Sequence, residues 1–400
     1  MNPDEFSPSS PGQLVAISPS DTSRGVAFLP NPLPPNLSIS DLGGSIGNLA
    51  EEAAFALGSL NGLGKRVPNP MLLARPFIRS EAIASSRIEG TRAEYSQVVL
   101  YEAENLLKPV DADLHEVNNQ IRALTRVWNQ ESLIPALSIP GIASMHQDLL
   151  RGVRGESADP GQYRKGFVMI GSPGDTMVTA KFVPCPPDEI RHRLNDLLEY
   201  VLGSDRAIPM LAKLAVSHYQ FEVVHPFNDG NGRIGRMLIA LTLREWGMLD
   251  APLLYLSEYL ERNRDQYIDS LHRVSTDGDW AGWIQFFLVA LRDQSQDALK
   301  RSNALLDFQQ ELRTTYQSGR RTRALPIIEA LFGRPTITYA QAKELTGLTQ
   351  PSANALVKQL VDDGLLREVT GRVRNQVFYA PEIAQVSMGL SASGSDAGSQ

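Results

Sequence analysis

The chain has 400 residues, 42% of them hydrophobic, a net charge of −7 and a single cysteine, Cys185. That length suggests two or three domains with a substantial core, and one cysteine excludes both an internal disulfide and a cysteine-rich zinc site, as in proteins of a reducing compartment. The acidic balance argues against general nucleic-acid binding but leaves room for one small DNA-binding module, and no apolar run reaches membrane-spanning length.

Residues 1–40 are rich in Pro and Ser and include LPNPLPPNLS. Such a segment is expected to stay extended or disordered until it meets a partner surface. Its start, MNPDEFSPSSPG, has neither the basic opening nor the apolar stretch of a signal peptide, so a cytoplasmic protein without a membrane partner is predicted. From 41 to 110 the pattern is helical. SIGNLAEEAAFALGSLNGLG has apolar residues three and four apart, RPFIRSEAIASSRIEGT stops at Gly90, and YSQVVLYEAENLL follows. Residues 111–295 continue with DLHEVNNQIRALTRVWNQ and IPGIASMHQDLLRGV. The texture then changes: GQYRKGFVMIGSPGDTMVTAKFVPCPP has β-rich ends around the turn signal SPGD and predicts a hairpin. Helices resume with PDEIRHRLNDLLEYVLGS, the apolar AIPMLAKLAVSHYQFEVV and YLERNRDQYIDSLHRV. A long helix begins at WAGWIQFF and runs on as a helical linker over 296–322.

Residues 323–381 read as a small module. LPIIEALF, TYAQAKELTGL and TQPSANALVKQLVDDG are helices, and LLREVTGRVRNQVFYA is a hairpin turning at Gly371. This is the order of a winged helix-turn-helix. From Ala324 to Ala380 six basic side chains stand against five acidic ones, a poor balance for phosphate binding. Protein contact is therefore expected of the module, with weak DNA binding through TQPSANALVKQL and the basic wing GRVRNQ. Residues 382–400, ending SASGSDAGSQ, are expected to be a disordered tail. The fold class is mainly α.

The densest polar cluster is HPFNDGNGRIGR, His225 to Arg236, between two apolar helical runs. Gly230, Asn231 and Gly232 open a helix, where glycines let the backbone approach a ligand and free N–H groups with the positive dipole end bind anions. Arg233 and Arg236 add fixed charge, in a fork that matches phosphate oxygens. Asp229 beside a polyphosphate points to a divalent cation, Mg²⁺ before others. His225 has an ordinary pKa near neutrality and suits proton removal from a hydroxyl. Phe227 reads as a structural anchor. Each residue alone has ordinary structural uses; together they describe nucleotide-dependent transfer onto a hydroxyl.

HPFNDGNGRIGR resembles the Fic family signature H-x-F-x-[DE]-G-N-G-R-x-x-R at every defined position. The helices around it, the preceding hairpin and the N-terminal segments NPLPPNL and SSRIEGT are similar to that family over roughly residues 30 to 295. The resemblance implies a Fic helical core with a β-hairpin flap, and a protein adenylyltransferase that moves AMP from ATP to a Ser, Thr or Tyr hydroxyl of a target protein. It implies His225 as base, Asp229 as ligand of Mg²⁺ or Mn²⁺, and Gly230 to Arg236 (with Ile234 and Gly235) around the phosphates, Arg236 holding the γ-phosphate. It also implies a homodimer. Ser85, Glu89 and Gly90 in SSRIEG fit the family's inhibitory pattern [ST]-x-x-x-E-[GN], in which the glutamate occupies the second motif arginine. The flap residues Thr179, Ala180, Lys181 and Phe182 are implied to border the nucleotide and dock the target as an added strand, and Asn263 and Tyr267 to lie near adenine. Two alternatives stay open: a DNA-binding regulator that uses the Fic core as sensor or scaffold, and an enzyme that also removes AMP.

Overall fold

The structure, a computed structural model, describes residues 1–18, 25–67, 69–104, 111–131, 133–153, 159–204 and 207–389. It is mainly helical. The chain opens with an antiparallel pair, β1 (Gly12–Ala16) and β2 (Val26–Pro30), in the register Gly12 to Pro30. This differs from the expectation for residues 1–40. The apolar VAFLP buries both Ala27 and Phe28 completely, and the Phe28 N–H donates to Val183 O at 2.9 Å. The surface that holds this segment is the chain's own: the flap at Val183, the end of the helix carrying Ser275 and Thr276, and Gln220.

Four helices follow: α1 (Ile39–Leu42), α2 (Gly44–Arg66), α3 (Pro70–Ile88) and α4 (Tyr95–Glu104). Then come α5 (Ala112–Trp128) and α6 (Ile139–Leu149). Side-chain caps start both: Asp111 accepts from Asp113 N, and Ser138 accepts from Gly141 N. The expected flap hairpin is reduced to one bridge, Ile170 with Phe182, bonded in both directions at 2.8 and 3.0 Å. Prolines at 173, 184, 186 and 187 remove the donors a longer ladder needs.

The centre is built by α7 (Ile190–Leu202), α8 (Met210–Val224), α9 (Asn231–Glu245), α10 (Ser257–Arg262), α11 (Arg264–Asp277) and α12 (Trp280–Tyr316). Nearly every residue of α8 is buried, because it packs against α7, α9 and α12 at once. Trp283 reaches across from α12 and donates to Ala215 O at 2.9 Å. The expected linker over 296–322 is mostly the continuation of α12, with Ser302 and Leu305 buried.

The C-terminal part comprises α13 (Leu325–Gly333), β3 (Thr336–Thr338), α14 (Tyr339–Thr346), α15 (Gln350–Asp362), β4 (Arg367–Glu368), β5 (Val377–Tyr379) and α16 (Pro381–Ser387). Its sheet has the order β3-β5-β4. The tail expected from 382 differs in its first turns. Ile383 and Ala384 are fully buried in α16, which packs on α12 and α13. The remainder of that expectation, 390–400, lies outside the described residues.

Candidate active site

The motif begins where α8 ends. His225 caps it at φ 48°, ψ 62°, a left-handed conformation that few non-glycine residues adopt. Pro226 follows and cannot extend the helix. The imidazole Nδ1 lies 3.1 Å from Glu222 O. A carbonyl only accepts, so Nδ1 carries the hydrogen and Nε2 keeps its lone pair. Burial pulls the His225 pKa down to about 4, so the ring is neutral at pH 7.

The loop between α8 and α9 is tied by its own asparagine. The Asn231 amide accepts from Phe227 N and donates to Phe227 O, both at 2.8 Å. The Phe227 ring is fully buried, as expected of an anchor, and stacks on His146 at 3.8 Å and on Tyr163 at 5.1 Å. Gly161 N–H donates to His146 Nδ1 at 2.8 Å, which leaves Nε2–H to donate to Asp229 O at 3.0 Å. Burial lowers the His146 pKa to about 4, so this tautomer persists through neutral pH. Gly230 begins α9 at φ +77°, and a Cβ there would also lie 3.2 Å from Leu149. The first bond along α9 runs from Ile234 N to Gly230 O. The Asn231, Gly232 and Arg233 N–H groups therefore remain at the open helix end.

Arg164 holds this corner from outside the motif. It is 3% exposed. Its Nε donates to His225 O at 2.7 Å, Nη1 to Gly166 O at 2.9 Å, and Nη2 to Val224 O at 3.2 Å and to Cys185 O. One guanidinium thus satisfies the last carbonyls of α8 and ties them to the flap. Arg164→Ala strands those buried acceptors, so a loss of about 2–4 kcal/mol in stability is expected. Urea midpoints at unchanged slope measure it, and an unaltered midpoint would refute the clamp.

The two motif arginines are both buried. Arg233 Nη1 donates to Glu116 Oε2 on α5 at 3.1 Å, and its Nη2 lies 3.6 Å from Asp229 Oδ1. Arg236 donates through Nε to Ser85 Oγ and through Nη2 to Ser85 O, each at 2.9 Å, and through Nη2 to Glu89 Oε1 at 2.7 Å. Burial works to raise the Glu89 pKa, but Arg236 outweighs it and holds the carboxyl below its ordinary value. The contact of Glu89 with Arg236 is the one the resemblance implied, and the two bonds from Arg236 to Ser85 were not foreseen.

A cavity of about 350 Å³ opens here, lined by Glu89, Gly232, Arg236 and His225 on one side and by Lys181 and Phe182 on the other. A Cβ at Gly232 would lie 2.5 Å from Glu89 Oε1, so only glycine fits under the ion pair. Several expected residues sit elsewhere. Thr179 Oγ1 donates to Asp175 Oδ1 at 3.0 Å within the flap turn, and Ala180 is buried. Neither lines the cavity, because the single flap bridge directs Lys181 and Phe182 there instead. Ile234 is in the core, and a Cβ at Gly235 would lie 2.2 Å from Glu222 Oε1, so these two serve α8–α9 packing. Asn263 Nδ2 donates to Tyr259 O at 2.9 Å at the α10–α11 junction, off the cavity. Tyr267 is on the wall, with its hydroxyl 2.8 Å from His218 Nε2.

Sequence reasoning missed Arg164, His146, Glu116 and Glu222. His146 shares a helix face with the buried Ile142 and Leu149, a spacing that marks burial but not a partner. The Glu222 carboxyl lines the cavity, and burial pushes its pKa up to about 7.

Residues 48–129 match the Fic/DOC family N-terminal domain, and residues 136–243 match the Fic/DOC family. A relative from Aquifex aeolicus with the name "Probable protein adenylyltransferase" is 35% identical over 28% of this chain and 30% of its own length. A "Protein adenylyltransferase" from Caenorhabditis briggsae is 29% identical over 38% of this chain and 26% of its own. The chain thus spans less than a third of the length of these relatives. The crystal structure of a Fic family protein from Desulfovibrio desulfuricans G20 has the same fold, with a TM-score of 0.56 at 23% identity over 87% of this chain and 98% of that one.

Proposed function

From the premise that this chain carries the paired domains of the Fic/DOC family, we propose that it is a protein adenylyltransferase held inactive by Glu89. The observation that carries this reading is one cavity holding a neutral histidine with a free Nε2, an open helix end and a buried arginine. ATP is the donor, and a protein hydroxyl is the acceptor. His225 Nε2 takes the hydroxyl proton, the oxygen forms a bond to the α-phosphorus, and the bond to the departing pyrophosphate breaks. The N–H groups at the start of α9, with Arg233, face the phosphates. Glu116 fixes the rotamer of Arg233, and His146 fixes the loop that carries Asp229. Glu89 occupies Arg236, so a γ-phosphate reaching that arginine meets a like charge instead.

Among the described residues no group of three or more His, Cys, Asp or Glu stands together to hold a metal. Asp229, with its side chain half exposed and Oδ1 accepting from Gly230 N at 2.6 Å, fits a cation shared with phosphate oxygens. Mg²⁺ or Mn²⁺ held there would neutralise charge on the phosphates. Transfer is accordingly expected to stop in excess chelator, and Asp229→Ala to reduce both the rate and its response to added Mg²⁺. Full activity in chelator would overturn the role of Asp229.

Residues 325–379 we read as a winged helix-turn-helix, with α14 and α15 as the helix pair and β4–β5 as the wing. Its near-neutral charge favours a protein contact. The deciding experiment incubates the protein with ATP labelled at the α-phosphate and a lysate of its host. Labelled protein bands support transfer. Retarded random DNA with no labelled band would favour the regulator instead.

A further inference from the structure

A second cavity lies away from the transfer site. It measures about 700 Å³, within the range of small-molecule pockets, and six arginines line it: Arg75, Arg79, Arg122, Arg126, Arg151 and Arg334. They come from α3, α5, the end of α6 and the turn after α13. In a chain of net charge −7, this is a local concentration of the opposite sign.

Part of that charge is already balanced. Arg79 Nε donates to Glu102 Oε2 at 2.8 Å, and Arg151 Nη2 lies 3.0 Å from Asp148 Oδ1. Arg126 also reaches Asp148. The third lining acid, Glu131, accepts from Asn129 Nδ2 at 2.9 Å. Arg75, Arg122 and Arg334 form no ion pair among the described residues. Arg334 Nη2 finds only the Glu102 carbonyl, and its Nε is buried with no hydrogen-bond partner. Arg75 is close by, since a Cβ on Gly333 would lie 3.5 Å from Arg75 Nη1. Burial pulls the Arg334 pKa down against the pull of Glu102, and Arg79 and Arg75 lower it further. Six arginines against three acids leave an excess of like charge, which is costly unless an anion joins them.

We propose that this cleft between α3, α5 and the turn after α13 binds a small ligand carrying two or more phosphate groups. Three unpaired guanidinium groups spread over three elements exceed what one phosphate can engage, and the cleft is roomy enough for several. Planar guanidinium forks suit phosphate oxygens two at a time, and Arg334 adds a buried donor without a partner. The site does not depend on the transfer reading. It does meet α3, the helix that ends at Glu89.

The test titrates inorganic tripolyphosphate, without metal, into the full chain by calorimetry at low salt. The helix end of the transfer cavity also binds anions, so two classes of site are expected for the wild type. Arg75→Ala with Arg122→Ala should weaken one class at least tenfold and spare the other, whereas Arg236→Ala should leave that first class intact. Arg75 and Arg122 are exposed, so the melting temperature should hold. Arg75→Lys with Arg122→Lys should recover part of the binding, and the single change Arg122→Glu should abolish that class. Superimposable isotherms for wild type, the double alanine variant and Arg122→Glu would overturn the site.

Discussion

Replacing Glu89 with glycine is expected to raise self-labelling by AMP about tenfold or more. The carboxylate is 2.7 Å from Arg236 Nη2, and its side chain is 41% exposed at the cavity wall. Arg236 keeps its position without it, because Ser85 holds Nε and Nη2 through two further bonds at 2.9 Å. The variant therefore frees a charged donor that is already aimed. A tenfold rise needs only about 1.4 kcal/mol of better alignment at the transition state. The double variant Glu89→Gly with Arg236→Ala should lose most of the gain, since the arginine is the beneficiary. Mild acid should not imitate the release, because Arg236 holds the Glu89 carboxyl below its ordinary pKa and the pair survives until the pH falls through that lowered value. Label incorporated into the protein, compared across wild type, single and double variants, measures all three. Unchanged labelling in Glu89→Gly, with ATP still bound, would return Glu89 to an ordinary helix end.

His225→Ala is expected to remove transfer while ATP binding stays within about twofold. A positioned general base contributes about 10²–10⁴ in rate, and the imidazole is held in its basic tautomer by the Glu222 carbonyl. The groups proposed to hold the nucleotide lie elsewhere, on α9 and the cavity wall. The pH profile adds a sharper check. His225 acts as a base only when neutral, and burial has lowered its pKa to about 4. Glu89 raises that pKa slightly, so the acid limb of kcat/KM in Glu89→Gly should lie at or below about 4 rather than near the ordinary 6.5. A limb at the ordinary value would show that the ring is solvated in the working enzyme. Equal loss of binding and transfer would make His225 a structural residue.

Much of the site was legible because it is contiguous. HPFNDGNGRIGR carries base, carboxylate, glycines and arginines within twelve residues, and α8 and α9 are apolar enough to be read on either side. SSRIEG was legible as a helix end, and its pairing with Arg236 followed from resemblance. The flap was half legible. Its turn was visible in SPGD, but its prolines left one bridge where a hairpin was expected. The first forty residues misled because their Pro and Ser content masks VAFLP, a strand that pairs with β1 and packs on α8 and the flap only in the folded chain.

Read alone, the chain already indicates its helical class, the order of its central helices and the chemistry proposed for one loop. Those properties depend on neighbours in sequence: apolar spacing, caps, turn residues and a short motif. The residues that aim this chemistry depend on folding. Glu116 meets Arg233 across 117 positions, Ser85 meets Arg236 across 151, and Arg164 reaches back to His225 across 61. An arginine or a glutamate in a sequence carries charge but no address. Burial supplies the address, because a polar group taken out of water is retained only where a partner is waiting. That is why the arginine cleft between α3, α5 and the turn after α13 was invisible until the helices were packed: its members are scattered from 75 to 334, and only their convergence makes them a site.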